Sequence, residues 1–250
     1  MNRLKLSFPW LLGSAWLIAA TSVAAEAPHW DYQGHADPSH WGELSPDYAT
    51  CALGKIQSPI DIRGAVKGAL QPIEFHYQDS HVSLWNNGHT LQVNPDPGNF
   101  IQVAGTRYDL LQFHFHSPSE EQIEGRAFSM VAHLVHKNAT GQLAVVAVLL
   151  EEGAQDNAFL QPVWSHLPPT PSEPQPLAEP KLNLTQLLPR EQGYYSYQGS
   201  LTTPPCSEGV SWLVLNHPVT LSPQQHAAFQ ALFKTNARPI QPLNGRVIYQ

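Results

Sequence analysis

The sequence predicts a single α+β domain, dominated by sheet, with a few peripheral helices. Three observations carry this reading. Short runs at residues 73–77, 81–85, 90–93, 111–116 and 130–136 alternate apolar and polar side chains in the strand manner. Residues 143–150 are almost wholly apolar, which fits a strand buried on both faces. Only two segments carry a helical pattern. Residues 157–167 place Phe159, Leu160, Val163, Trp164 and Leu167 on one stripe. Ser222-Pro223 reads as an N-cap followed by proline at the first helical position, after which Phe229, Leu232 and Phe233 share a face. Residues 29–54, rich in aromatic and turn residues, read as irregular. Residues 168–180 contain six prolines and are expected to form a surface loop without regular structure. No internal repeat is visible.

The chain has 250 residues. A basic start at Arg3 and Lys5, an apolar run over residues 8–20 and small residues up to Ala25 have the form of a secretory signal peptide, residues 1–25. The apolar run is too short to span a bilayer as a stable helix, so no stable membrane anchor is expected. Cleavage leaves residues 26–250, one domain of ordinary size, in the periplasm or secreted. The formal charge is −7, and loss of Arg3 and Lys5 takes it to −7 − 2 = −9. No basic block remains, so a nucleic-acid partner is not expected. The two cysteines, Cys51 and Cys206, suggest one disulfide in an exported protein, the alternative being two buried thiols. A closure this long stabilises by about 4–5 kcal/mol in the chain-entropy model.

Thirteen histidines are present. His35, His40, His76, His81, His166, His217 and His226 are isolated and read as ordinary surface or core residues. His114-Phe115-His116 differs, because strand alternation sends both imidazoles to one side and Phe113 and Phe115 into the core. If the run from Ser129 to His136 pairs with this strand, His133 faces the same pair and His136 faces away. Three histidine ligands with an open fourth position describe a catalytic zinc site, since structural sites are closed. The same residues permit a rival reading. His114-x-His116-x-x-x-Glu120 resembles the first metal motif of cupins, where the glutamate is itself a ligand and iron or manganese is bound.

Segments along almost the whole chain decide between them. His29-Trp30-x-Tyr32, Gln57-Ser-Pro-Ile-Asp-Ile62, Asn86-Asn-Gly-His89, Gln112-Phe-His-Phe-His116, Ser119-Glu120, Ala132-His-Leu-Val-His136 and Gly199-Ser-Leu-Thr-Thr-Pro-Pro205 together resemble the alpha-class carbonic anhydrases, bacterial ones in particular. The cupin motif accounts for none of the other segments. The resemblance implies a central twisted, mostly antiparallel sheet with zinc, Zn2+, held by His114, His116 and His133 at the bottom of a cleft. It implies reversible hydration of carbon dioxide to bicarbonate and a proton by attack of zinc-bound hydroxide. Such a zinc lowers the pKa of its bound water to about 7; carbonic anhydrase is itself the type example of this effect. Thr202 matches the threonine that orients the hydroxide, Glu120 the carboxylate that takes that threonine's proton, and His89 the proton shuttle. Thr203 matches a bicarbonate contact. Val135, Val145, Leu201, Val210 and Trp212 match the apolar substrate pocket. Gln112 matches the acceptor for the His114 ring, and Tyr32, Asn87 and Gln92 the polar wall that supports proton-carrying waters. Cys51 and Cys206 stand where bacterial relatives carry their disulfide. Partners are then a small-molecule substrate, with the chain a monomer or homodimer.

A second function class is a binding or scaffold protein of the same fold that has lost catalysis. Such relatives lose metal histidines, whereas all three remain here with Glu120 and Thr202, which favours an active enzyme. One position departs from the pattern. The residue two before the third histidine is usually glutamate and here is Val131. His133 must then find its acceptor in water, a backbone carbonyl or another side chain, and faster loss of zinc than in relatives is expected.

Overall fold

The computed structural model describes residues 28–250. Residues 1–25, read above as a signal peptide, lie outside them. In chain order the strands are β1 (Asp61–Ile62), β2 (Glu74–His76), β3 (Ser80–Asn86), β4 (Leu91–Pro95), β5 (Phe100–Val103), β6 (Thr106–His116), β7 (Gln122–Ile123) and β8 (Arg126–Ala127). There follow β9 (Met130–Lys137), β10 (Leu143–Glu152), β11 (Gln175–Leu182), β12 (Tyr194–Ser200), β13 (Glu208–Leu215) and β14 (Val219–Leu221). The helices are α1 (Trp41–Leu44), α2 (Thr50–Leu53), α3 (Leu160–Trp164) and α4 (Pro223–Phe233). None of the described helices is long and apolar enough to cross a membrane.

The main sheet runs β11-β3-β4-β6-β9-β10-β13-β12, with β5 also on β6, β2 on β5 and β14 on β10. Its pairs are antiparallel except those of β10 with β13 and β14. A small second sheet orders β1-β7-β8.

β10 explains why its sequence is apolar throughout. Val146, Val148 and Leu150 face a core closed by Phe159, Leu160, Trp164 and Phe229 of the α3 and α4 region. Val145, Ala147 and Leu149 face a second core with Val135, Val210 and Trp212. Burying one such valine or leucine contributes about 1.5–3 kcal/mol.

α4 begins as its sequence demands. The Ser222 hydroxyl accepts from the Gln225 amide, the Gln225 side chain accepts from the Ser222 amide, and Pro223 occupies the first turn, where its missing N–H costs nothing. The other helix is shorter than its apolar stripe predicts. The Asn157 side chain accepts from the amides of Phe159 and Leu160, so the chain before Leu160 is a capped turn and only Leu160–Trp164 is helical.

Two expectations are corrected. Residues 29–54 hold short helical turns, among them α1 and α2, that are too brief to show a period in sequence. The proline-rich segment is not wholly irregular, because Gln175, Pro176 and Leu177 pair with Leu84, Ser83 and Val82 of β3. β11 is an edge strand, and an edge tolerates proline where the missing N–H would face solvent.

Candidate metal centre

β6 and β9 build the centre. They pair antiparallel with His114 directly opposite His133, Phe113 opposite Leu134 and His116 opposite Val131. The register shifts once, between Leu110 and Gln112, which leaves Leu111 unpaired and exposed. Downstream of that bulge, Phe113 and Phe115 are fully buried in the core while Gln112, His114 and His116 face a cleft. The ring centroids of His114 and His116 are 5.0 Å apart, His114 and His133 5.5 Å, and His116 and His133 4.8 Å. One ring nitrogen from each lies within 4.8 Å of the others.

The hydrogen bonds fix which nitrogen that is. His114 Nδ1 is 2.8 Å from the Gln112 side-chain oxygen, and His116 Nδ1 is 2.7 Å from the Asn236 carbonyl. Both oxygens can only accept, so both Nδ1 atoms carry the proton and both Nε2 atoms keep a bare lone pair. His133 is reversed. Its Nε2 lies 3.1 Å from each carboxylate oxygen of Glu121, which leaves Nδ1 bare. Three lone pairs therefore converge, and the buried His116 Nε2 has no partner in the protein. This donor set fits a tetrahedral zinc ion with one position left toward the cleft. Burial, reinforced by the charge of its neighbour His133, pushes the His114 pKa down to about 3 and holds His116 well below its ordinary value. Both rings are thus kept neutral, as ligands must be. At His133 burial also opposes charge, but Glu121 and Glu120 outweigh it and raise the pKa.

Glu121 answers the question that Val131 poses. His133 does have a side-chain acceptor, supplied by the segment after β6 instead of by β9. Zinc loss faster than in relatives therefore no longer follows from Val131.

Glu120 sits beneath the histidines, with Oε2 3.6 Å from His116 Nε2. Burial, with help from Glu121 and against His133, the Arg238 amide and the Thr202 hydroxyl, raises its pKa to about 7. Oε1 accepts from the Arg238 amide at 2.8 Å, while Oε2 is unpartnered. Thr202 is buried and close enough to lower the Glu120 pKa without reaching hydrogen-bond geometry.

The loop carrying Thr202 and Thr203 is tied down behind. Cys51 and Cys206 form a disulfide. The buried Arg238 guanidinium donates to the Gln57 side chain, the Ser58 carbonyl and the Cys51 carbonyl at 2.8–2.9 Å. Gln57 in turn donates to the Cys206 carbonyl at 3.0 Å.

Above the histidines the cleft encloses about 110 Å³, room for a few small molecules. Tyr32, Asn87, His89, Gln92, Gln112 and Thr203 line it with His114 and His116. The Asn87 side chain accepts from the amides of His89 and Thr90, which makes the turn that presents His89. Gly88 in that turn has φ +88°, a conformation glycine adopts without strain. The His89 ring lies flat on Trp30, 3.7 Å between centroids at 9°. Burial lowers its pKa, with Asp31 opposing and His29 assisting. On the opposite side Val135, Val145, Val210 and Trp212 are buried in one apolar cluster against which Leu201 packs, and Trp212 stands edge-on to His133 at 4.8 Å.

Sequence reasoning did not find Glu121, Asn236, Arg238 or Trp30 as site residues. Only Glu121 offered a signal, as a second carboxylate beside Glu120 that needs a buried cation or donor. His226 is more than an ordinary surface residue. It bridges Glu152 at 2.6 Å and the Ser117 hydroxyl at 2.9 Å. The order is that of a hydrolytic triad, but Ser117 is fully buried, so no substrate reaches it.

The family model for eukaryotic-type carbonic anhydrase matches residues 36–250. A carbonic anhydrase of Pectobacterium carotovorum is 44% identical over 98% of this chain and 98% of its own length. One of Neisseria gonorrhoeae is 45% identical over the full length of both. The solved alpha-carbonic anhydrase of Thermovibrio ammonificans, in complex with the inhibitor sulfanilamide, is 41% identical and superposes with a TM-score of 0.87, covering 90% of this chain and all of its own. With such agreement in sequence and in fold, the chain belongs to the eukaryotic-type, or alpha-class, carbonic anhydrases.

Proposed function

We propose that the enzyme holds one zinc ion on His114 Nε2, His116 Nε2 and His133 Nδ1 and uses it to hydrate carbon dioxide reversibly. The observation that carries this reading is the convergence of three proton-free ring nitrogens beside a cleft, each fixed by an acceptor on its other nitrogen. When bound, zinc supplies a water whose proton is lost near neutral pH.

The protein's own residues do the rest. Glu120 Oε2 accepts a hydrogen bond from the Thr202 hydroxyl, which leaves the Thr202 oxygen free to accept one from the attacking oxygen and so aim its lone pair. Val135, Val145, Leu201, Val210 and Trp212 exclude water from the side where apolar carbon dioxide rests, and Thr203 contacts bicarbonate. Tyr32, Asn87 and Gln92 order waters that carry the released proton to His89, which passes it to buffer. Cys51–Cys206 fits export to the periplasm or beyond.

Stopped-flow hydration before and after zinc removal tests the proposal. Activity should disappear with the metal, return with added zinc and be blocked by sulfanilamide, the inhibitor bound in the Thermovibrio protein. Undiminished hydration by protein shown to hold no metal would overturn it.

A further inference from the structure

A metal-bound imidazole needs an acceptor on its other nitrogen, which fixes the ring and raises its basicity. His114 and His116 use neutral acceptors, an amide oxygen and a backbone carbonyl. Of the three, only His133 has a carboxylate as the acceptor on its other nitrogen, with both Glu121 oxygens at 3.1 Å and the pair buried. A charged acceptor makes a bond roughly twice as strong as a neutral one.

We propose that Glu121 is the positioning residue of His133, and that the fixing of this ligand has moved in this chain from the strand that carries it to the segment after β6. Val131 is fully buried and shares a strand face with His133, two residues away. It packs with Ile60, Ile62 and Phe128, so that side of the ring is apolar. Glu121 reaches the ring from another element, and its backbone is built to hold it there. The Ser119 hydroxyl donates to the Glu121 carbonyl at 2.7 Å and accepts from the Phe128 amide at 2.8 Å. The Ser119 amide donates to the Phe128 carbonyl at 3.0 Å, and the preceding Glu120 is fixed by the Arg238 amide. The Glu120 side chain accepts from the Arg238 amide and the Glu121 side chain from the His133 ring. Glu120 and Glu121 thereby serve different partners, Glu120 beneath the cleft and Glu121 behind the ligand.

The inference rests on the zinc reading. Metal analysis of the full-length mature protein separates the two, since a wild type that holds no zinc defeats that reading and leaves the Glu121–His133 bond to be tested by other means. With zinc loaded, transfer into a chromogenic chelator is followed for three proteins at one pH. Glu121→Gln should release zinc about 10–100 times faster than the wild type. Val131→Glu should release it no more slowly than the wild type, because the acceptor is already present. Release from folded Glu121→Gln at the wild-type rate, or slower release from Val131→Glu, would overturn the proposal.

A readout on the wild type alone covers the case in which Glu121→Gln does not fold. In proton NMR of labelled, zinc-loaded protein, the Nε2–H of His133 should resonate clearly downfield of the Nδ1–H protons of His114 and His116, as a carboxylate-bound proton does. Three equivalent shifts would also overturn it, and a purely structural role for Glu121 would not produce the difference.

Discussion

The centre has a sheet half and a loop half, and they are made differently. In the sheet half, His114, His116 and His133 stand where strand alternation and one cross-strand pairing put them. Their positions are properties of backbone geometry, shared by any side chain at those sites. In the loop half, Thr202, Thr203, Glu120 and Asn236 belong to segments with no repeating hydrogen bonds of their own. They are held by particular side chains, chiefly Arg238, Gln57 and Ser119, and by one covalent bond. Placement of the three histidines can thus be robust while the loop residues proposed to orient substrate are individually fragile.

The largest effect should come from cutting the covalent tie. Replacing both cysteines, Cys51→Ser with Cys206→Ser, removes a closure spanning 155 residues and should lower unfolding free energy by about 4–5 kcal/mol in the chain-entropy model. Denaturant titration measures this. Zinc should stay bound while hydration slows, because only the loop half loosens. Equal loss of metal and activity would show that the halves are not separable.

Arg238→Met should cost somewhat less, about 3–4 kcal/mol, by leaving the Gln57, Ser58 and Cys51 oxygens without their donor. A loss under about 1 kcal/mol in the same titration would mean that water replaces the guanidinium.

The smallest effect sharpens the sheet side. His136, on the face away from the histidine cluster, is fully buried against Tyr77, and burial lowers its pKa to about 4, with the Leu134 and Ala144 backbone and Asp109 opposing. Unfolded histidine titrates near 6.5. Between those values the unfolded chain binds a proton that the folded chain refuses, so stability falls as pH drops from about 6.5 to 4, by up to about 3 kcal/mol. Below about 4 both states are protonated and this loss stops. A His136→Gln variant should show a flatter stability profile across that window. An unchanged slope would assign the acid loss to other groups.

The same contrast explains what the sequence discloses. Phe113, His114, Phe115 and His116 are legible because period-two alternation sorts them without knowledge of the rest of the chain, and α4 is legible because its cap is local. Glu121 shows only as a second carboxylate beside Glu120; its role is not legible, since its partner lies on another element and neither residue type predicts the other. Asn236 serves His116 through its carbonyl, which every residue possesses. Arg238 reads as an ordinary surface cation until three carbonyl and amide oxygens are seen around it. β11 hides behind its prolines, which are compatible with an edge strand but do not announce one.

The unpaired Leu111 has a further consequence. Along β6, Leu110 and Phe113 both point into the core although their numbers differ by an odd step, so the strand changes phase at that residue. Before it, the frame is set by the hairpin with β5, where Ala104 and Gly105 turn with positive φ. After it, the frame is set by the histidines. Losing Leu111 would leave one frame for both, and either Leu110 would move to the cleft face or His114 and His116 would move into the core. Sliding the strand cannot repair this, because a slide by one residue exchanges all faces together. Changing the side chain at 111 is a small matter, but changing the number of residues there is a change of fold.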